Sequence, residues 1–348
     1  MSDLAEREIV QAPLAEETGS ARVVPTYSLV IPAYNEEGVI VELGARLAAL
    51  MDSLDAPAEA ILVDDGSSDR TYELMLEIAR NDPRFKLVQL SRNFGHQIAL
   101  TAGLDLIEGD AVVVLDADLQ DPPEVVLELA ARWREGYDVV YAIRDVREGE
   151  TWFKRATAAW FYRAFNRISE VNVPLDVGDF RLVDRRVLEV FSRMRESNRF
   201  IRGMFSWIGL RQIGVLYERK ERFAGETKYP LRKMLRFAVT GLISFSPAPL
   251  RFALRIGFFV SVISFALAFW SVFVKLTGLY TVPGWTSIVV VMTFIGGVQL
   301  IVLGVIGEYI GDIHAEVKNR PLYVVGEMEN FVHVPALPAR AIVAQRRV

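Results

Sequence analysis

The sequence predicts an α/β protein: a mainly parallel sheet domain, then an interfacial amphipathic helix, then a two-helix transmembrane hairpin. Two observations predict it. Between Tyr27 and about Tyr141, short apolar runs alternate with stretches of helical periodicity. In the C-terminal third, two long runs carry no charge at all. Strand–helix alternation calls for a largely parallel sheet covered by helices on both faces. Long uncharged runs call for lipid.

Composition sets the bounds. The 348 residues carry a net charge of −5, with a mean hydropathy of +0.24. That length allows one or two domains with ample core. The positive hydropathy is high for a purely soluble protein. There are no cysteines, which excludes disulfides and thiolate metal sites. The three histidines, His96, His314 and His333, are scattered in sequence and suggest no ligand cluster. No basic face stands out, so nucleic acid is not expected as a partner.

The elements follow in order. Residues 1–26 are polar and acidic, with no apolar core for a signal peptide, and read as a flexible tail. Within 27–230, YSLVIPA, AEAILVDD, FKLVQLS, DAVVVLDAD and DVVYAI read as strands, and EEGVIVELGARLAALMDSL as a helix between the first two. Ligands bind such sheets beyond the carboxyl ends of the strands. The polar residues fall there: Pro32, Tyr34, Asn35 and Glu36 after the first strand, Asp64 and Asp65 after the second, Asp116 and Asp118 after the fourth. A dinucleotide fold would need a glycine-rich first turn, and PAYNEEG lacks that spacing. A Walker A loop is absent as well. Two carboxylates at i and i+2 beside a strand end suit a divalent cation, Mg²⁺ or Mn²⁺, shared with substrate phosphates. An Asp-x-Asp alone is a weak signal; the strand before it strengthens it.

Residues 231–248 contain LRKMLRFAVTGLISF, whose apolar residues recur at helical spacing with Arg232, Lys233 and Arg236 mainly elsewhere. This suits a helix in the membrane interface. Within 249–310, Ile256 to Val274 and Thr286 to Gly307 are each long enough to cross the hydrocarbon core. Arg251 and Arg255 precede the first, Lys318 and Arg320 follow the second, and the connection holds Lys275. The positive-inside rule then predicts a multi-pass protein with the large N-terminal part and both termini cytoplasmic. Gln299, inside the second run, suggests contact with another helix and a homo-oligomer. Residues 311–348 read as a cytoplasmic C-terminal segment. The strand–helix domain is expected to bind ligand without the hairpin.

SLVIPAYNEE, ILVDDGSSD, SRNFGHQIALTAGLD and VVVLDADLQDPPE resemble the successive motifs of glycosyltransferase family 2. The resemblance continues through GDFRLVDRR, ERFAGETKYPL, both apolar runs and GEYIGDIHAEVKNRPLYVV. This is similar to the pattern of polyprenyl-phosphate glycosyltransferases of the dolichol-phosphate mannose synthase and bactoprenol glucosyltransferase types. It covers roughly Tyr27 to Val325. The resemblance implies a GT-A fold and transfer of one sugar, glucose favoured, from a nucleotide-diphosphate sugar to a polyprenyl phosphate. It implies that Pro32, Tyr34, Glu36 and Asp65 line the nucleotide pocket. Asp116, Asp118 and Gln120 would surround the metal and Asp179 would face the reacting centre. Arg202, Arg219, Arg222 and Lys228 would offer cations to the acceptor and its phosphate. His96 receives no catalytic role. Asp64 reads first as a loop brace. Ser68 and Asp69 read as a helix cap, and Pro122 and Pro123 as a helix start. The alternatives are a processive polysaccharide synthase and a non-catalytic membrane scaffold. The first would need more spans and a Gln-x-x-Arg-Trp motif, which RGMFSWIG does not match.

Overall fold

The structure, a computed structural model, describes residues 27–144, 177–218, 248–277, 284–331, 338 and 340–343. The N-terminal tail lies outside the described residues, as does the expected interfacial helix but for its last position.

The first half alternates as the sequence predicts: β1 (Tyr27–Ala33), α1 (Ile40–Ser53), β2 (Ala58–Asp64), α2 (Thr71–Asn81), β3 (Phe85–Leu90), α3 (His96–Leu104), β4 (Ala111–Val114), α4 (Val126–Arg134) and β5 (Val139–Arg144). Pro123 opens a single 3₁₀ turn ahead of α4, where its missing N–H costs nothing. Then follow β6 (Val177–Asp184), α5 (Arg185–Phe191), α6 (Ile201–Ile208) and β7 (Gln212–Tyr217). Two long helices come next, α7 (Ala248–Thr277) and α8 (Trp285–Val317), and then β8 (Tyr323–Glu329) and β9 (Ala341–Val343).

The described strands form one nine-stranded sheet in the order β7-β5-β6-β4-β1-β2-β3-β8-β9. Its centre, β4-β1-β2-β3, is parallel. Every residue of β1 and β4 is buried, as expected of strands covered on both faces. Alternate side chains feed two cores. Leu29, Ile31, Ala60 and Leu62 meet α1, α2 and α4 through Leu43, Met75 and Leu129. Val30, Ile61 and Val63 meet α3, α5 and α6 through Leu100, Leu188 and Met204. The antiparallel members, β6 and β8, place residues from late in the chain beside the parallel centre.

β8 changes the expected domain plan. The segment after α8 is no separate tail. Leu322, Tyr323 and Val325 enter the core, and β8 pairs with β3. Asn330 pins the end of β8 by donating to the carbonyls of Ala79 and Phe85. The sheet domain therefore includes residues from both sides of the helical pair, and independence from the C-terminal third is not expected of it.

α7 and α8 pack along each other. Their 30 and 33 residues span about 45 and 50 Å at the α-helical rise. Phe258, Phe265, Phe269, Leu276, Leu300 and Leu303 face outward from the pair, and Gln299 is exposed too. Among the described residues, Phe294–Val317 is a candidate span by length and composition. α8 continues past Gly307, the expected span end, and carries Glu308, Asp312 and Glu316 on that extension.

Candidate functional site

Strand register assembles the site. β4 runs antiparallel to β6, with Val114 opposite Arg181. Two residues onward on one side and two back on the other bring Asp116 and Asp179 face to face. α3 supplies the third member. It packs so closely on the sheet that a Cβ on Gly103 would lie 2.3 Å from Val30 Cγ1. Its first residue, His96, thus reaches the same rim. His96 Nε2 sits 3.3 Å from Asp179 Oδ2 and 3.5 Å from Asp116 Oδ1.

Asp179 is buried and surrounded by donors. Arg202, the second residue of α6, donates from Nε to Oδ1 at 2.7 Å and from Nη2 to Oδ2 at 3.3 Å. Gln97 donates to Oδ2 at 3.3 Å while its Oε1 accepts from the Ile201 amide at 3.0 Å. Beneath, buried Arg181 donates to the carbonyls of Gly178 and Asp179 and lies over the Phe205 ring. Burial pushes the Asp179 carboxyl up, but the Arg202 charge and the donors of His96 and Arg202 hold it well below the usual range. Burial raises Asp116, only partly offset by His96. Burial lowers His96, and the Asp179 hydrogen bond and the Asp116 charge override it, raising it to about 9. The centre holds Asp179, kept ionised between cations, beside Asp116, whose carboxyl burial raises.

Could this set hold a cation? One ligand atom each from His96, Asp116 and Asp179 lies within 4.8 Å of the others. Asp116 Oδ1 is buried and has no hydrogen-bond donor among the described residues. An orphaned carboxylate oxygen in an acidic rim is what a divalent ion would complete. Asp118 lies just outside this group. It is partly exposed, and its Oδ1 accepts from the Gln120 amide at 3.1 Å. Gln120 is buried. Leu119 between them has φ +56°, which closes the turn that brings the Gln120 amide to Asp118. Asp121 accepts a hydrogen bond from Tyr217 at the end of β7, fixing this loop to the sheet edge.

On the β1–β2 side, Tyr34 projects from the rim, whereas Pro32 is buried in β1 and paired with Val63. Two loops are laced together there. Asn35 Oδ1 accepts from the Ser68 amide, and the Glu36 amide donates to Thr71 Oγ1. Asp64 braces the turn by accepting from the Ser67 amide. Asp69 caps α2 through the Thr71 amide, while Ser68 takes no such part. Asp65, expected to face a nucleoside, spends one bond from each oxygen on the Phe94 and Gly95 amides, at 2.7 and 2.9 Å. Burial raises its carboxyl above the usual value. Gly66 (φ +68°) lets this turn press on Arg92, whose carbonyl carbon would lie 2.5 Å from an added Cβ.

The structure thus gathers Asp116, Asp179 and Arg202, with Asp118 and Gln120 adjacent. It ties Arg202 to Asp179, not to open solvent. Arg219, Arg222 and Lys228 lie outside the described residues. His96 and Gln97 were missed by sequence reasoning. A histidine opening an apolar helix after SRNFG was the available signal, but nothing local links it to carboxylates 20 and 83 residues away.

Residues 28–191 match the family model described as "Glycosyl transferase family 2". An uncharacterized glycosyltransferase of Bacillus subtilis (strain 168) is 50% identical over 299 residues, covering 86% of this chain and 93% of that one. An uncharacterized glycosyltransferase of Synechocystis sp. is 46% identical, covering 88% and 97%. A bactoprenol glucosyl transferase of Shigella phage SfII is 42% identical, covering 86% and 96%. With the sheet, the acidic rim and these relatives in agreement over most of its length, the chain belongs to glycosyltransferase family 2.

Proposed function

We propose that the protein transfers a single sugar from a nucleotide-diphosphate sugar to a polyprenyl phosphate at the cytoplasmic membrane face. UDP-glucose is the favoured donor, and the anomeric configuration inverts. The observation that carries this reading is the return of the chain, after two lipid-length helices, into the sheet that bears the acidic rim. A glycosyltransferase site and a membrane hairpin are then one unit. The phage relative's name supplies the class of acceptor.

The return also bears on topology. β7 and β8 belong to one sheet, which in this reading lies on one side of the bilayer. The chain between them would then cross an even number of times. If α8 spans, α7 spans back, with both termini of the sheet domain on the side its flanking cations choose.

Asp116, with Asp118 and Gln120 beside it, would hold Mg²⁺ or Mn²⁺. That ion would neutralise the leaving diphosphate. Tyr34 and Glu36 border the nucleoside, and Asp65 fixes the loop behind it. The acceptor is a phosphate monoester with a second pKa near 6, so at neutral pH it is mostly dianionic. It needs placement more than deprotonation. Asp179, already ionised and saturated with donors, orients Arg202 and His96 toward that phosphate. Arg219, Arg222 and Lys228 are further phosphate cations in this reading.

The test is direct. Purified protein in bilayer discs is given a panel of nucleotide sugars with a polyprenyl phosphate, and the lipid product is weighed. One hexose per lipid, from one donor, is expected. A polymer, or no lipid-linked sugar from any donor, overturns the reading.

A further inference from the structure

Arg340 belongs to the last twenty residues, a stretch with no assigned part in the chemistry. Its side chain is only 8% exposed. The guanidinium reaches three separate pieces of chain. Nε donates to the carbonyl of Arg320 at 2.9 Å. Nη1 pairs with Glu316 Oε2 at 2.9 Å and also donates to the carbonyl of Arg195. Nη2 donates to Ser197 Oγ at 2.7 Å. Five rigid donors in one plane make arginine suited to such a junction, and lysine could not reproduce it.

The pieces it joins matter. Arg195 and Ser197 lie on the loop between α5 and α6. Glu316 lies on the polar end of α8. The same two pieces meet twice more, at the Ser197 amide with Glu316 Oε1 and at Asn198 with Asp312. That loop leads straight into α6. There the Ile201 amide meets Gln97, and Arg202 meets Asp179. Three residues of chain separate the clamp at Ser197 from the Ile201 amide.

We propose that Arg340 is a positioning residue for sugar transfer. It locks the loop that leads to Arg202 onto the end of the membrane helix, so that the acceptor-facing cation and the lipid-anchored helix hold one relative geometry. The inference rests on the proposed transfer to a lipid acceptor. The nucleotide side of the rim, at Tyr34 and Asp65, is braced by other loops and does not depend on the clamp.

The experiment compares Arg340→Ala and Arg340→Lys with the parent, full-length in bilayer discs. Asn330→Ala serves as a control, because it loosens the same C-terminal segment without touching the clamp. Arg340→Ala is expected to keep nucleotide-sugar affinity within about twofold and to lower kcat with the lipid acceptor by about tenfold or more. Arg340→Lys should recover little. Asn330→Ala, at an equal loss of thermal stability, should keep most of its kcat. Nitroxides at Glu196→Cys and Lys318→Cys, in this cysteine-free chain, should show a sharp distance in the parent and a broad one in Arg340→Ala. Equal loss of kcat in both destabilised variants, parental kcat in Arg340→Ala, or an unchanged distance distribution overturns the proposal. A parent that transfers no sugar overturns the functional reading instead, and the distance measurement then decides the clamp by itself.

Discussion

Asp179 accepts from Arg202, Gln97 and His96 together. A carboxylate so occupied, and held ionised below its usual range, is a poor base and a good anchor. Asp179→Asn keeps the size and loses the charge. It is expected to bind nucleotide sugar nearly as the parent does and to transfer about 100-fold more slowly. The rate should stay low and flat from about pH 6 to about 9, because more acceptor dianion does not restore orientation. Recovery toward the parental rate at high pH would make Asp179 the base. Asp118 makes a different prediction. It sits partly exposed at the rim, so Asp118→Ala should unfold at nearly the parental temperature, within about 0.5 kcal/mol. Calorimetry should show that its binding of the nucleotide diphosphate no longer responds to Mg²⁺ or Mn²⁺. Undiminished metal-dependent binding would remove Asp118 from the cation site.

At the scale of elements, β8 carries the clearest consequence. A chain ending at Asn319 keeps both long helices but loses Leu322, Tyr323 and Val325 from the core. Burial of each such side chain is worth about 1.5–3 kcal/mol, against a typical net stability of about 5–15 kcal/mol. Asp105 would also lose its Tyr323 hydroxyl donor. The truncated chain is expected to show no cooperative unfolding and no nucleotide-sugar binding. A folded, binding-competent product would mean that β3 tolerates an open edge. This element was hidden in the sequence for a physical reason. PLYVVGEME is short and stands directly behind a long apolar helix, so its strand partner can be identified only once the fold brings β3 beside it. β6 escaped in the same way: GDFRLVDRR shows a motif, but its place next to β4 depends on register.

For the whole molecule, one sheet holds strands from before and after the helical pair, and under the proposed topology the chain between them crosses the membrane an even number of times. A small tag placed between Thr277 and Trp285 is expected to react with an impermeant reagent from outside the cell and not from the cytoplasmic side. Labelling confined to the cytoplasmic side would sink the two-span topology. The extension of α8 past Gly307 spans about 15 Å and carries the polar residues that meet the α5–α6 loop.

The sequence by itself determined the α/β class, the strand–helix alternation of the first half, the acidic strand ends and two long apolar helices. These rest on local periodicity and on strand ends, which a linear pattern records directly. Asp116 and Asp118 could be read at a strand end, and Asp179 only through the family resemblance. Tertiary structure alone decided that His96 and Gln97 join Asp179, that Asp65 accepts from the Phe94 and Gly95 amides, and that Arg340 reaches Glu316 and Ser197. Each of these is a contact between residues far apart in the chain. Such contacts depend on strand register, on the close seat of α3 allowed by Gly103, and on the return of β8, none of which leaves a periodic trace.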